Sequence, residues 1–160
     1  MSAGRTAPRL LFVCLGNICR SPLVEQVARE TLAAAGIEAT LASCGTGGWH
    51  AGEGADPRMV AAARQAGHDL ARHRARQLRA RDFADFDLLL AMDRDNQQGL
   101  LDLAPDPAAA ARVHLYLQWT QAAPPAEFPD PWYGGEADFR AAVALAERSM
   151  PGLLARLAAR

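Results

Sequence analysis

The stretch LLFVCLGNICRSP, residues 10–22, decides the predicted fold because it joins a strand, a loop and a helix start. Residues 10–14 are continuously apolar, which is typical of a parallel strand that is buried on both faces. A Gly-Asn pair then ends the strand. We predict that Ser21 is the N-cap of the first helix and that Pro22 takes its first position, where a missing N–H is tolerated.

Three further apolar runs predict the other strands of a sheet. They are IEATLAS at residues 37–43, LLLAM at 88–92 and RVHLYL at 112–117. Helical segments separate them, with caps predicted at Asp56 and Asp93, and a long helix is predicted over 136–159. This alternation predicts a doubly wound α/β fold, flavodoxin-like, with a four-stranded parallel sheet flanked by helices on both faces. We expect residues 1–8 to be a flexible tail and residues 9–160 to be a single domain.

Composition excludes several classes of function. The 17 basic side chains, all arginine, stand against 18 acidic ones, so the net charge favours neither nucleic acid nor an anionic membrane as a partner. Without a lysine the chain cannot build a Walker-type phosphate loop, a protein kinase site or a Schiff base. Three cysteines that lack the two-residue spacing of zinc sites argue against a disulfide scaffold and against a structural metal, and they favour a reducing cytoplasm.

The residues between the first strand and the first helix are suited to binding an anion. Five residues separate Cys14 from Arg20, and the amides of such a loop, next to a helix N-terminus, form a concave phosphate site. Gly16 and Asn17 are residue types that tolerate unusual backbone angles. The planar guanidinium of Arg20 can bind two phosphate oxygens at once. The positive electrostatic field of the helix N-terminus and of Arg20 favours a thiolate at Cys14. Ser21 is expected to donate its hydroxyl to that sulfur.

The motifs VCLGNICRSP and, downstream, DPWYGG resemble those of the low-molecular-weight protein tyrosine phosphatases. The segments SCGTGGWHAGEGADPR, HRARQL, DFADFD and AMDRDN follow in the family's order, and the resemblance covers about residues 9–157. It implies an enzyme without metal or cofactor that acts on phosphotyrosine in proteins. Cys14 would be the nucleophile, Arg20 would bind phosphate, and Asp130 would be the general acid and base.

The resemblance also assigns supporting roles. Asn17, Ser43 and His73 are expected to form a hydrogen-bond network that holds the loop. Trp49 and Tyr133 are expected to sandwich a phenyl ring. The loop residues expected to contact substrate are Leu15, Gly16, Asn17, Ile18, Cys19 and Ser21.

Three other residues, far apart in the sequence, are interpreted as follows. Trp132 stands where relatives commonly have a tyrosine. Asp93 is predicted to be a helix cap only, and His50 a surface or packing residue.

The other two cysteines receive different predictions. Cys19, five residues after Cys14, is expected to form a reversible disulfide with an oxidised Cys14 and so to protect it from further oxidation. The resemblance implies this role, because family members have a similar pair of cysteines. Cys44 is expected to be a small buried residue. The enzyme is therefore predicted to be redox-sensitive.

Alternative functions share such a fold and loop. Arsenate reductases need further cysteines late in the chain, and none follows Cys44. Protein-arginine phosphatases tend to carry a threonine where Ile18 stands, so the isoleucine favours an aryl phosphate. A phosphate-binding or redox-sensing module without turnover would have no use for Asp130. The oligomeric state is left open by the sequence.

Overall fold

Four parallel strands form one sheet in the order β2-β1-β3-β4, which confirms the predicted fold class. The structure is a computed structural model that describes residues 7–122 and 124–159. The strands are β1 (Arg9–Cys14), β2 (Thr40–Gly45), β3 (Leu88–Ala91) and β4 (Val113–Leu115). The helices are α1 (Arg20–Ala35), α2 (Pro57–Gln65), α3 (Asp82–Asp85), α4 (Arg94–Leu103), α5 (Pro107–Ala110), α6 (Tyr116–Trp119), α7 (Glu136–Arg148) and α8 (Met150–Ala158).

The central strand β1 carries the cysteine of the predicted site. It pairs with β2, where Cys14 lies opposite Gly45, and with β3, where Val13 lies opposite Ala91. The strand order reverses between β1 and β3, and in open α/β sheets the crevice beyond the carboxyl ends of such strands is where ligands bind. Cys14 is the last residue of β1 and therefore lies at that crevice.

Each face of the sheet is covered by its own apolar core. Phe12 and Cys14 point to the face that is covered by α1, α2, α7 and α8, with Phe139 among the buried partners. Leu11 and Val13 point to the opposite face. Side chains alternate along a strand, so β1 contributes to both cores and is buried throughout beyond its first residue. This explains its continuous apolar run.

The start of α1 differs from the prediction. The helix begins at Arg20, Cys19 is its cap residue, and no side chain caps it, so the prediction that Ser21 is the N-cap is wrong. Ser21 lies fully buried in the first turn, where its hydroxyl contacts Cys14. The caps predicted at Asp56 and Asp93 are confirmed, since their carboxylates accept the amides two and three residues later, respectively.

The boundaries of β2 and β4 differ from those predicted from the sequence. β2 begins at Thr40, because α1 ends at Gly36 in the left-handed conformation and three further residues connect it to the sheet. β4 ends at Leu115, because Tyr116 turns into the short helix α6. The Tyr116 ring is fully buried there, and its hydroxyl is 2.7 Å from the hydroxyl of Ser149.

The long C-terminal helix of the prediction is broken in two at Ser149. Pro151 has no N–H to donate to the carbonyl of Glu147, and its ring disfavours a continuous helix at that point. Gly152 then lies so close to α6 that an added Cβ would be 2.0 Å from the carbonyl oxygen of Thr120. The break therefore lets α8 pack closely against the segment that follows α6.

The predicted N-terminal tail falls mostly outside the described residues. Residues 1–6 and Arg160 are not among them, whereas the carbonyl of Pro8 already accepts a hydrogen bond of 2.8 Å from the amide of Thr40. None of the helices in the described ranges is long and apolar enough to cross a membrane.

Candidate active site

The loop that follows β1, here called the cysteine loop (residues 14–20), is held against the end of β2. The amides of Thr46 and Gly47 donate to the carbonyls of Cys14 and Leu15, both at 2.9 Å. At Gly45 a Cβ would be 2.6 Å from the carbonyl oxygen of Leu15, so only glycine allows this approach. Gly45 was not among the predicted site residues, because the predicted strand ended at Ser43, whereas β2 extends to Gly45.

Asn17 is the residue that shapes the cysteine loop. Its φ of 59° is left-handed, and its side chain is fully buried. The amide group donates to Ser21 Oγ at 2.8 Å and to Ser43 Oγ at 2.9 Å, and the amide oxygen accepts the Arg76 N–H at 3.0 Å. These bonds use both amide hydrogens and the oxygen, which explains why asparagine and not glycine takes the left-handed position.

Gly16 plays a different part from the one predicted. Its backbone is not among the left-handed residues, so the loop does not use its conformational freedom. A Cβ on Gly16 would instead be 3.0 Å from Cδ2 of His50. The glycine is therefore needed for close contact with the His50 ring.

The Cys14 sulfur is surrounded by hydrogen-bond donors. The main-chain amide of Asn17 donates to Cys14 Sγ at 3.3 Å, and Ser21 Oγ lies 3.0 Å from the same sulfur. The side-chain amide of Asn17 donates to Ser21 Oγ, so the single hydroxyl hydrogen of Ser21 is available to another acceptor. That acceptor is either the Cys14 sulfur or the Cys44 carbonyl at 3.4 Å. The sulfur is the nearer of the two acceptors. Both donors stabilise a negative charge on Cys14.

Two further side chains extend this network. His73 Nε2 donates to the Asn17 carbonyl at 2.6 Å, and burial lowers the pKa of His73, which favours the neutral ring. Ser43 donates to Glu25 at 2.6 Å, and Glu25 also accepts from Arg29 at 2.8 Å. The structure thus brings together the predicted Asn17, Ser43 and His73. It adds Glu25, which nothing in the local sequence indicated.

The cysteine loop also presents main-chain donors. In the described part of the chain, the amides of Gly16, Ile18 and Cys19 have no protein acceptor. The first-turn amides of α1 likewise have no partner within their helix. These donors, together with the positive end of the α1 dipole, form the cup for an anion that the sequence predicted.

Arg20 is almost completely buried at the edge of this cup. Its Nη1 donates to Asp93 at 2.8 Å and to the Phe128 carbonyl at 2.9 Å, and its Nη2 lies 3.6 Å from Asp130. Burial opposes the charge, but the nearby Cys14, Asp93 and Asp130 outweigh it and raise the pKa of Arg20.

Asp93 therefore does more than the predicted capping. One of its oxygens caps α4 and the other holds Arg20, a contact that the sequence analysis missed. A signal existed, since Asp93 comes two residues after β3, at the same edge of the sheet as Cys14.

A pocket of about 290 Å³ opens above Cys14. Its aromatic walls are Trp49, Trp132, Tyr133 and His50. Of these, Trp49 and Tyr133 were predicted from the sequence. Trp49 and Tyr133 are 71% and 95% exposed, whereas Trp132 is half-buried with its ring centroid 5.9 Å from that of His50. His50 is therefore part of the pocket wall.

Comparison with known proteins decides the family. The model of the family described as low molecular weight phosphotyrosine protein phosphatase matches residues 9–160. This chain belongs to that family. A low molecular weight protein-tyrosine-phosphatase of Streptomyces coelicolor is 42% identical over 151 residues, 92% of each chain. A phosphotyrosine protein phosphatase of Schizosaccharomyces pombe is 40% identical over 134 residues, 82% of this chain and 85% of the relative.

Solved structures agree with the assignment. The crystal structure of a protein tyrosine phosphatase from Entamoeba histolytica superposes with a TM-score of 0.89 at 33% identity, covering 95% of this chain and 97% of that one. Phosphatases of this family are phosphoric monoester hydrolases. The buried Cys14 and Arg20 of this family member fit a cysteine-based mechanism.

The remaining cysteines of this phosphatase are both free and buried. Cys19 lines the pocket with Cys14, and burial, followed by the charge of Asp56, raises the pKa of the Cys19 thiol above its ordinary range. Cys44 lies in the second core, where burial raises the pKa of its thiol as well. No group of three His, Cys, Asp or Glu side chains within 7–122 and 124–159 is arranged to hold a metal ion.

Proposed function

We propose that this phosphatase hydrolyses phosphotyrosine in proteins through a cysteinyl-phosphate intermediate on Cys14. The observation that supports this most directly is the position of the Cys14 sulfur. It lies at the base of an aromatic-walled pocket, beside unpartnered loop amides and the buried guanidinium of Arg20. A phosphoryl group that enters the pocket would meet the nucleophile and its charge-stabilising donors together.

The first step transfers the phosphoryl group to sulfur. The Cys14 thiolate attacks phosphorus, the bond from phosphorus to the aryl oxygen breaks, and Asp130 gives its proton to the leaving oxygen. Arg20 and the loop amides hold the equatorial oxygens of the transition state. Asp130 suits this role because its carboxylate is 40% exposed at the mouth of the pocket and lies beside Arg20.

The second step regenerates the enzyme. Asp130 accepts a proton from water, the water oxygen attacks phosphorus, and the bond from sulfur to phosphorus breaks to release phosphate. Ser21 assists this step because its hydroxyl, 3.0 Å from Sγ, stabilises the departing thiolate. Asn17, Ser43 and His73 hold the loop in place throughout.

The walls of the pocket favour an aryl phosphate over phosphoarginine. Ile18 is an apolar wall residue, and Trp49 and Tyr133 provide ring faces on which a phenyl group can pack. Leu15, at 47% exposure, adds an apolar residue to the rim. A guanidinium-bearing substrate would have to leave its remaining N–H groups against these apolar surfaces, at a cost in affinity.

The substrate class can be tested with matched peptides that carry phosphotyrosine or phosphoarginine. The wild type is expected to show kcat/KM at least about tenfold higher for phosphotyrosine, because an apolar pocket rejects unpaired polar groups by this order. Ile18→Thr should reduce the ratio, whereas Ile18→Val, which keeps the wall apolar, should preserve it. A preference for phosphoarginine would contradict the assignment, and binding of either peptide without turnover would favour a non-catalytic module.

We further propose that Cys14 and Cys19 form a reversible disulfide. Hydrogen peroxide would oxidise the Cys14 thiolate to a sulfenic acid, and the Cys19 thiolate would then attack that sulfur and displace hydroxide. The position of both thiols on one pocket supports the proposal. Since the disulfide must be reduced again for activity, we place the enzyme in the reducing cytoplasm. We also propose that residues 9–160 form a single domain.

Closure of this disulfide should depend on pH. The pKa of Cys19 is raised, so its thiolate fraction grows steadily as the pH rises, and closure is expected to accelerate about tenfold per pH unit between about pH 6 and pH 9. Mass spectrometry after peroxide treatment, with a sulfenic acid trap, measures the two products. Cys19→Ser should give only trapped sulfenic acid, and Cys44→Ala should behave as wild type. A closure rate that does not change with pH would refute the role of Cys19.

A further inference from the structure

Arg58, at the start of α2, contacts the loop that carries Asp130. This loop, residues 129–135, is called the Asp130 loop below. Arg58 Nη1 donates to the Trp132 carbonyl at 3.0 Å. The guanidinium carbon also lies 5.1 Å from the ring centroid of Trp132 and 4.7 Å from that of Phe139, within the range of cation–π attraction.

Asp56 fixes this guanidinium in one orientation. Its two carboxylate oxygens accept from Arg58 Nε at 3.1 Å and from Nη2 at 2.8 Å, which is the bidentate geometry that arginine favours. Asp56 is itself buried, and its amide donates to the Ile18 carbonyl at 2.8 Å. The pair of Asp56 and Arg58 therefore connects the cysteine loop directly to the Asp130 loop.

The main chain of the Asp130 loop has few other attachments ahead of Gly135, which is hydrogen-bonded to Asp138 and Phe139 at the start of α7. Over the described residues, the main chain of residues 130–134 forms one hydrogen bond to a group outside the loop, and Arg58 is its donor. A cleft of about 440 Å³ lies between the loop and α7, lined by Pro129, Pro131 and Ala141 among others. Pro131 is buried and Trp132 packs against the core that contains Phe12, but the cleft leaves the α7 side of the loop open.

Trp132 links Arg58 to the carboxylate of Asp130. The amide of Trp132 donates to Asp130 Oδ1 at 3.1 Å, while the carbonyl of the same residue accepts from Arg58. Holding Trp132 thus holds the group that orients the carboxylate. The ion pair between Asp130 and Arg20 is longer, at 3.6 Å, and cannot replace this contact.

We infer that Arg58 is a positioning residue that sets the place of Asp130 relative to Cys14, an inference that rests on the proposed function. Arg58 has no path to the reacting phosphoryl group in this arrangement, since its fork is occupied by Asp56 and by the Trp132 carbonyl. Its loss should therefore weaken proton donation to the leaving group and leave nucleophilic attack intact.

The test compares two aryl phosphates that differ strongly in their need for a general acid. Phenyl phosphate has a poor leaving group that must be protonated, whereas the dinitrophenolate of dinitrophenyl phosphate departs without a proton. Arg58→Met is expected to lower kcat/KM about tenfold for phenyl phosphate and less than about twofold for dinitrophenyl phosphate, since misplacement of a catalytic group by a fraction of an ångström has effects of this order. Both substrates are assayed on one preparation, so the ratio is independent of the folded fraction.

Two further variants complete the design. Arg58→Lys should resemble Arg58→Met, because one ammonium group cannot bridge both Asp56 oxygens and the Trp132 carbonyl. Arg64→Met, the same change at an exposed position of α2, is the matched control and should leave the ratio unchanged. Equal losses for both substrates, or a wild-type ratio in Arg58→Lys, would overturn the inference.

A double-mutant cycle separates the inference from the proposed function. Asp130→Ala alone should show the same selective loss for phenyl phosphate, and adding Arg58→Met should then cost less than about twofold more, since no acid remains to be positioned. Independent, multiplicative losses would show that Arg58 acts elsewhere. If Asp130→Ala showed no selective loss, Asp130 would not be the acid, and the proposed function would fail at that step.

Discussion

Replacement of Cys14 by serine is expected to lower kcat/KM for phosphotyrosine peptides by about five orders of magnitude, as for other enzymes that lose a covalent nucleophile. The reason is that a serine hydroxyl at this position has no base beside it. Its neighbours, Ser21 Oγ and the Asn17 amide, are donors that stabilise a negative sulfur and remove no proton. Steady-state assays and acid-quench detection of the phosphoenzyme measure the two parts of this effect.

Binding provides the control for that variant. Cys14→Ser should retain affinity for phosphotyrosine peptides, because Arg20 and the loop amides are unchanged. An unaltered thermal unfolding midpoint would show that the loss is chemical. Turnover by Cys14→Ser within about a hundredfold of wild type would contradict the covalent mechanism.

Replacement of Asp130 by alanine is expected to lower kcat/KM for phenyl phosphate by about two to four orders of magnitude, the usual contribution of a general acid. The effect should shrink for aryl phosphates with better leaving groups, which need less protonation. A series of substituted phenyl phosphates measures this dependence. The slope of log kcat/KM against leaving-group acidity should be steeper in the variant than in the wild type.

A surface carboxylate supplies the matched control for the loss of Asp130. Asp102 lies exposed on α4, where it accepts a hydrogen bond from Gln98, far along the chain from either loop of the site. Asp102→Ala should keep both the rate and the leaving-group slope of the wild type. Equal slopes for wild type and Asp130→Ala would mean that another group protonates the leaving oxygen.

Local sequence was sufficient to predict much of the site. The spacing of Cys14 and Arg20 and the left-handed tolerance of Asn17 are properties of a few consecutive residues, and the structure shows the cup and the positive φ that they predicted. Local cues were less reliable at element ends. Ser21 looks like a cap by its position before a proline, yet the nearby sulfur takes its hydroxyl, because the loop folds back on the helix start.

Residues that act across the sheet were harder to predict. Asp93, just beyond the end of the neighbouring strand β3, holds Arg20 from 73 residues away, and Glu25 contacts Ser43 across 18 residues. Gly45 is needed because the backbone of Leu15 passes close to it. From the sequence, Asp93 was recognisable only as a cap, Glu25 only as a helical residue and Gly45 only as a glycine beyond the predicted strand.

The order of strands and helices, the anion cup and the nucleophile were determined by the sequence itself, because apolar periodicity and turn chemistry act between neighbours in the chain. The tertiary structure alone decided how Arg20 is held, that His50 and Trp132 also line the pocket, and how Arg58 joins the two loops. Those features depend on packing between segments that are distant in the chain, and their geometry exists only once the sheet has brought its strand ends together.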